Sequence, residues 1–370
     1  MKTRAYFDWN ATAPLRPEAR AAMTAAMDVM GNPSSVHGEG RAAKAVIERA
    51  RAQVAAALGA VGADIVFTSG ATEAAAMACA GRGLHCAAVE HDAVRAWCVP
   101  DLAVDGSGRV RAVDPVLSVV QLANSETGVI QDLADGLAES DLSQAFGKVP
   151  VAFNWLGCQM GLVSGHKLGG PKGVGALVLR RGVDFEPVLK GGGQEMGRRA
   201  GTENIIGIAG FGAAAEAAAR DLADGVWDRV AELRNTLNQA LSSLGFETLS
   251  VGNSGAARSA TNRLPNTICL VAPGWKGETQ VMAMDLAGFA VSAGSACSSG
   301  KVRTSATLQA MGFGEALAGQ AIRISLGPTN SEVEVLRFAE VWGREYQRIL
   351  ARNRAPSYFR NGPQGAGVEG

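Results

Sequence analysis

The chain has 370 residues and a mass of 38.1 kDa, enough for two domains of ordinary size. Lys+Arg and Asp+Glu are both 35, so the net charge is zero and there is no basic stripe to neutralise phosphates along a duplex, which argues against nucleic acid as a partner. With 47% hydrophobic and 19% charged residues, and no uninterrupted apolar run of 18, the composition suits a soluble α/β protein rather than a disordered or membrane-spanning one.

The first twenty residues have a basic start but no apolar stretch of signal-peptide length, so a cytoplasmic protein with no membrane partner is expected. Residues 41–58 place Ala43, Ile47, Ala50, Val54 and Leu58 on one helical face, which predicts a long amphipathic helix. Short apolar runs follow at 64–70, 86–90, 118–124, 150–154 and 174–180. They read as buried strands alternating with helices, the pattern of a largely parallel sheet covered on both faces. Two consecutive helices are expected at 204–222 and 226–245. Beyond them come strand-like 266–271, helix-like 277–288 and strand-like 289–293 and 321–327. A last helix is opened by Ser331 with Glu334 three residues on, a capping-box spacing. The expected organisation is a large domain over 16–245, a smaller α+β domain from 1–15 and 246–352, and a loose tail over 353–370.

Six cysteines (Cys79, Cys86, Cys98, Cys158, Cys269 and Cys297) are scattered, with no CxxC pair and no Cys/His cluster at zinc-ligand spacing, so thiols rather than disulfides or a metal site are expected. Cys297 stands apart in 292-SAGSACSSGKVRTS-305, a run of small residues with no apolar periodicity to bury it. The nearby 294-GSACSSGK-301 is not a phosphate-binding P-loop, since five residues separate its glycines and Val302 replaces the magnesium-holding hydroxyl.

In 164-SGHKLGGPKGVGALVLR-180 a lysine follows a histidine in a polar turn between strands, a candidate for imine chemistry, because a lysine amine forms a Schiff base with an aldehyde. Upstream, 69-SGATEAAAMA-78 joins a strand to a helix whose first amides suit a phosphate dianion, or serve only as a helix cap.

These stretches, with 90-EHDAV-94, 124-NSETGVIQ-131, 141-DLSQAFGK-148 and 191-GGGQEMGRRAGTEN-204, resemble the NifS/IscS-type cysteine desulfurases of the class-V, fold-type-I pyridoxal-phosphate enzymes. The match runs in order from 6-YFDWNATAPL-15 through 31-GNPSSVHGEGR-41 to 322-IRISLG-327. The resemblance implies an α/β fold with a mostly parallel sheet covered by helices, pyridoxal 5'-phosphate as cofactor and L-cysteine as substrate. It implies a homodimer and a sulfur-acceptor protein as partners, the acceptor possibly an iron–sulfur scaffold.

By the same resemblance Lys167 is the Schiff-base lysine, with Lys172 and Lys190 as competitors. Asp141 faces the pyridine nitrogen, and Gln144 donates to the phenolic oxygen. His91 stacks on the ring and moves protons. Ala71, Thr72, Ser164 and His166 hold the phosphate, and Thr202 reaches across from a second subunit. Arg323 clamps the substrate carboxylate with help from Asn32, and Cys297 takes the sulfur as a persulfide.

Some positions depart from the family pattern. In place of Asn-Asn-Glu-Thr-Gly the chain has 124-NSETG-128, so a cofactor contact passes to Ser125 or is lost, with Asn124 as the alternative. The chain between that motif and Asp141 is several residues short, so a helix or strand edge must be trimmed. Two other readings stand beside the desulfurase: another class-V activity such as an aminotransferase or selenocysteine lyase, and a catalytically degenerate scaffold subunit.

Overall fold

The computed structural model describes residues 4–252, 263–294 and 304–354. In chain order the first part comprises β1 (Ala5–Tyr6), α1 (Pro17–Met27), α2 (Gly38–Ala57), β2 (Asp64–Thr68), α3 (Ala71–Cys79), β3 (His85–Ala87), α4 (Asp92–Arg95) and β4 (Val99–Leu102). It continues through β5 (Ser118–Val119), β6 (Glu139–Asp141), β7 (Met160–Ser164), β8 (Gly175–Leu179), α5 (Ile205–Ala223) and α6 (Val226–Ser242).

Seven of these strands form one sheet in the order β2-β8-β7-β6-β5-β3-β4. Pairing is parallel from β4 through β7, and β8 runs antiparallel to both its neighbours. Alternation along the strands separates two apolar layers. Ile65, Phe67, Ala176 and Val178 pack with α2 and α5. Val66, Leu177 and Leu179 pack with α3. The sequence pattern held here because strands buried on both faces read as continuous apolar runs.

The expected strand at 150–154 does not form. Phe153 instead begins a 3₁₀ turn, donating its amide to Leu58 O at the end of α2 at 2.9 Å, and the sheet takes Met160–Ser164 in its place. The trimming between the 124–128 motif and Asp141 falls on a crossover: β5 reaches its parallel neighbour β6 through a connection without a helix. Parallel neighbours commonly use a helix for this step.

The remaining elements are β9 (Leu249–Val251), β10 (Thr267–Val271), α7 (Gly277–Leu286), β11 (Phe289–Ala290), β12 (Ser292–Ala293), α8 (Ala306–Ala310), α9 (Glu315–Ala318), β13 (Ala321–Ser325) and α10 (Glu332–Arg354). Four of the strands make an antiparallel sheet in the order β12-β13-β10-β9, and β1 pairs in parallel with β11. The apolar run 289–293 is thus divided between two sheets. Ser331 and Glu334 form the reciprocal cap expected of them, each accepting the other's backbone N–H. Helix α6 buries Trp227, Val230, Leu233, Leu237 and Leu241 in this second core, with Val335, Phe338 and Trp342 of α10.

The topology places His91 just past β3, Asp141 at the end of β6 and Ser164 at the end of β7, all at the carboxyl edge of parallel strands where open α/β sheets bind ligands.

Candidate functional site

A cavity of about 610 Å³ opens at that edge. Lys167 enters it from the 3₁₀ turn Gly165–Lys167 that follows β7. Its Nζ donates to the backbone oxygens of Asn10 at 2.7 Å and Ala11 at 3.0 Å, so the amine is held by a segment at the far end of the sequence. His166 beside it meets Thr12 Oγ1 through Nδ1 at 3.1 Å. Burial, reinforced by the charges of Lys167, Lys172 and Lys148, lowers the His166 pKa to about 4, so its ring is neutral at pH 7. Lys172 stands exposed at the rim, and Lys190 is an exposed partner of Glu186.

One end of the cavity is the start of α3, with Ala71 and Thr72 in the lining and Gly70 at the cap, where no side chain satisfies the helix N–H groups. Glu73 in the first turn would repel an anion if it were free. Arg199 grips it at 2.7 Å, and it accepts the Ser69 amide at 2.7 Å. Burial opposes its ionisation, but these donors hold its pKa below the usual value. The turn is packed tightly from behind: a Cβ on Gly175 would lie 2.8 Å from the Gly70 Cα and 2.5 Å from Val163 O. Ser164 and His166 line the same end. Exposed helix amides, a hydroxyl and neighbouring lysines could hold an anion at this end.

The lining also includes Asp141 and Gln144. One Asp141 oxygen caps the turn that follows β6, accepting Ser143 N at 2.8 Å. A capping role and a place in the cavity coexist, since a carboxylate has a second oxygen. The Ser143 hydroxyl is buried with no partner and lines the cavity. His91 caps α4 by accepting Ala93 N on Nδ1 at 3.1 Å, which leaves the proton of a neutral ring on Nε2. Of the two residues offered for the 124–128 motif, Ser125 lines the cavity. Asn124 braces its own turn, with Oδ1 accepting from Glu126 N, Thr127 N and Thr127 Oγ1.

Arg323 projects from the middle of β13 and is 5% exposed, so it is no surface charge at a strand edge. Asp8 engages one guanidinium nitrogen at 2.7 Å and Ser125 O another at 3.3 Å, while Nε has no partner among the described residues. It belongs both to the main cavity and to an adjoining cleft lined by His91, Glu126, Gly294, Ala306 and Thr307. Glu126 accepts from Ser305 Oγ at 2.5 Å and Thr307 Oγ1 at 3.2 Å, which ties the start of α8 to the large sheet's loops. Cys297 lies outside the described residues, between Gly294 and Thr304. Two expected residues are not in the lining of the cavity: Asn32 is exposed and caps its own turn through Ser34 N, and Thr202 lines an adjoining cleft with Glu195 and Arg199 that shares Ser69 and Gly173 with the cavity.

The pattern of the family described as Aminotransferase class-V matches residues 5–94 and 110–338. This chain belongs to the class-V aminotransferase family. Among curated members, "Cysteine desulfurase" from Cereibacter sphaeroides is 39% identical over 91% of this chain and 94% of its own length. Among solved structures, a NifS-like protein from Rickettsia africae superposes with a TM-score of 0.80 at 30% identity, covering 93% of this chain and 99% of the other. A second, described as SspA in complex with cysteine, superposes with a TM-score of 0.71 at 27% identity over 88% and 100%. The fold is that of the fold-type-I enzymes of this family.

Sequence reasoning missed several residues of this class-V site. Asp8, Asn10 and Thr12 all fall within 6-YFDWNATAPL-15, a motif seen only as part of the resemblance; nothing local says that a segment before the first helix reaches the middle of the cavity. Lys148 also went unassigned. It is buried, and a lysine without a carboxylate nearby in sequence has no signature of burial.

Proposed function

We propose that this protein is a pyridoxal 5'-phosphate-dependent cysteine desulfurase that converts L-cysteine to L-alanine and leaves a persulfide on Cys297. The observation that carries the reading is the convergence, in one cavity, of a helix N-terminus, Lys167, Asp141, Gln144, His91 and Arg323 from separate stretches of the chain. The donor set fits the cofactor. The amides at the start of α3, with Ser164 and the neighbouring lysines, match a phosphate, and the unpartnered Ser143 hydroxyl offers a further donor. Asp141 offers a carboxylate oxygen to a protonated pyridine nitrogen, and Lys167 offers the amine for the aldehyde.

Bound there, pyridoxal phosphate supplies an electron sink that acidifies the substrate's Cα–H. Arg323, with its carboxylate partner Asp8 on one edge, orients the substrate carboxylate. Lys167 Nζ moves the α-proton, and His91 moves a proton on the leaving side of the reaction. The Cys297 thiolate attacks the substrate sulfur. An S–S bond forms as the substrate C–S bond breaks, and the carbon side gains the electron pair and a proton, becoming alanine.

Cys297 follows by three positions in sequence Gly294, which lines the cleft with His91 and Arg323. The acceptor of the sulfur is a second protein of the iron–sulfur scaffold kind, and the enzyme works as a cytoplasmic homodimer in which Thr202 completes the partner's phosphate cradle. Among the described residues no helix is long and apolar enough to cross a membrane.

The test is to incubate the purified protein with L-cysteine and a thiol reductant and measure alanine and sulfide together, beside Cys297→Ala. Equal amounts of both products, with sulfide lost in the variant, are expected. Cofactor colour without either product would overturn the reading in favour of another amino-group chemistry.

A further inference from the structure

Lys148 closes the turn that follows β6 and is 2% exposed. A buried ammonium is costly unless a carboxylate or a full set of hydrogen bonds compensates it. Among the described residues no carboxylate meets it. Its Nζ is directed at two amide oxygens, Gln144 Oε1 at 2.6 Å and Asn10 Oδ1 at 3.0 Å. The charged groups that face it are Lys167, from the turn after β7, and Arg323, from β13. Burial first, and then these two cations, push its pKa well below the usual lysine value. A residue kept under such conditions needs a reason, and the hydrogen bonds supply one, since a lysine amine can donate to both oxygens whether or not it carries its third proton.

The reason lies in Gln144. Its Nε2 donates to Asn10 O at 2.9 Å while its Oε1 accepts from Lys148. Turning the amide over would set its oxygen against the Asn10 carbonyl and its NH₂ against the lysine amine, losing both bonds. Lys148 and Asn10 together therefore permit a single orientation. An amide nitrogen has two hydrogens. One is spent on Asn10 O, and the other is left for the cavity that Gln144 lines. Asn10 is itself immobilised. Its side chain donates to Thr267 Oγ1 at 2.9 Å and accepts from Asn266 Nδ2 at 3.0 Å, and its carbonyl also receives Lys167 Nζ.

We propose that Lys148 is a positioning residue: by donating to Oε1 of Gln144 it locks that amide with an N–H toward the cavity, where the N–H holds the phenolic oxygen of pyridoxal phosphate. The donation also polarises the amide, so the N–H on its far side becomes a better donor, as in other hydrogen-bonded chains of low local dielectric. This inference rests on the cofactor reading given above and adds to it a residue that need not touch the cofactor.

The experiment compares Lys148→Met, which keeps the length of the side chain but cannot donate, with Gln144→Ala and the double variant. The readouts are the pH midpoint of the bound cofactor's visible absorption change, retention of the cofactor on dialysis, and the melting temperature. A donor to the phenolic oxygen stabilises its anion and lowers that midpoint, so its loss raises it. Lys148→Met and Gln144→Ala are each expected to raise the midpoint by about half a pH unit or more, and the double variant to match Gln144→Ala alone, because the lysine acts through the amide.

A lower melting temperature with an unmoved midpoint would make Lys148 merely structural and overturn the proposal. A double variant whose shift is the sum of the two would also overturn it, in favour of a direct charge effect. If the Met variant does not fold, Lys148→Gln, which keeps a shorter donor, must give a midpoint between those of wild type and Gln144→Ala; a midpoint equal to that of Gln144→Ala would overturn the proposal. Wild-type protein that takes up no pyridoxal phosphate would sink the cofactor reading itself, and that result is visible before any midpoint is measured.

Discussion

In the role proposed for it, clamping the substrate carboxylate, Arg323 works under a particular constraint. Asp8 and the Ser125 carbonyl already occupy part of its fork, so a substrate carboxylate must share a guanidinium whose plane is fixed by them. Lysine is a point donor and cannot keep Asp8 while reaching a second carboxylate in the same plane. Arg323→Lys is expected to lower kcat/KM for L-cysteine by about 100-fold, roughly 3 kcal/mol, with most of the loss in KM if the arginine binds ground and transition states alike.

Glu139, two residues before Asp141, is a different case. It is fully buried, Oε2 takes the Cys79 thiol, Oε1 has no partner, and burial raises its pKa to about 8. A carboxyl raised in this way contributes stability that is complete below about pH 4.5 and is lost as the pH rises through about 8. Glu139→Gln should therefore be nearly neutral at pH 5 and stabilising at pH 9, by at most on the order of 3–5 kcal/mol, in denaturant melts. The two residues also mark how far sequence carries. Arg323 was found through a motif, although its burial was not. Glu139 has no neighbour in sequence that announces a buried charge, because its environment is assembled from α3 and two flanking strands.

At the level of elements, the phosphate end depends on how closely β8 approaches the start of α3. Gly175 pairs with Thr68 on one side and Ser164 on the other, and the space above it is filled by Gly70. Gly175→Ala must move that turn, since its methyl cannot sit 2.5–2.8 Å from backbone atoms. The expected result is faster loss of pyridoxal phosphate on dialysis, by about tenfold or more, with near-native far-UV circular dichroism; unchanged retention would remove the cradle role from this helix start.

Elements with strong period or uninterrupted apolar character, such as α2, β8 and α10, were legible from the chain. The failures were local competitions. The 150–154 stretch has the composition of a strand, yet Phe153 is recruited to the end of α2, and 289–293 is split because its two halves find different partners. Neither outcome can be read without knowing what lies across the gap.

For the whole molecule the open matter is what completes the site. Thr202 lines a cleft that adjoins the cavity of Lys167 without entering its lining, and the proposed function has it serve a second copy. Mixing inactive Lys167→Ala protein with Thr202→Ala protein under exchange conditions should then restore activity, because each hybrid dimer has one site with an intact lysine from one chain and an intact threonine from the other. Activity no higher than that of Thr202→Ala alone would assign the threonine to its own chain.

Asn10 gives the molecule a property in time as well as in space. It is made before every group that holds it, since these come from position 125 to position 325: Ser125, Gln144, Lys148, Lys167, Asn266, Thr267 and Ser325. The large sheet can assemble while synthesis continues, but the strap that carries Asn10 has nowhere final to dock until β10 and β13 exist. Until then Lys167 and Gln144 lack their common carbonyl anchor. On the cofactor reading proposed above, a chain halted before β13 is therefore expected to take up no pyridoxal phosphate and to stay colourless.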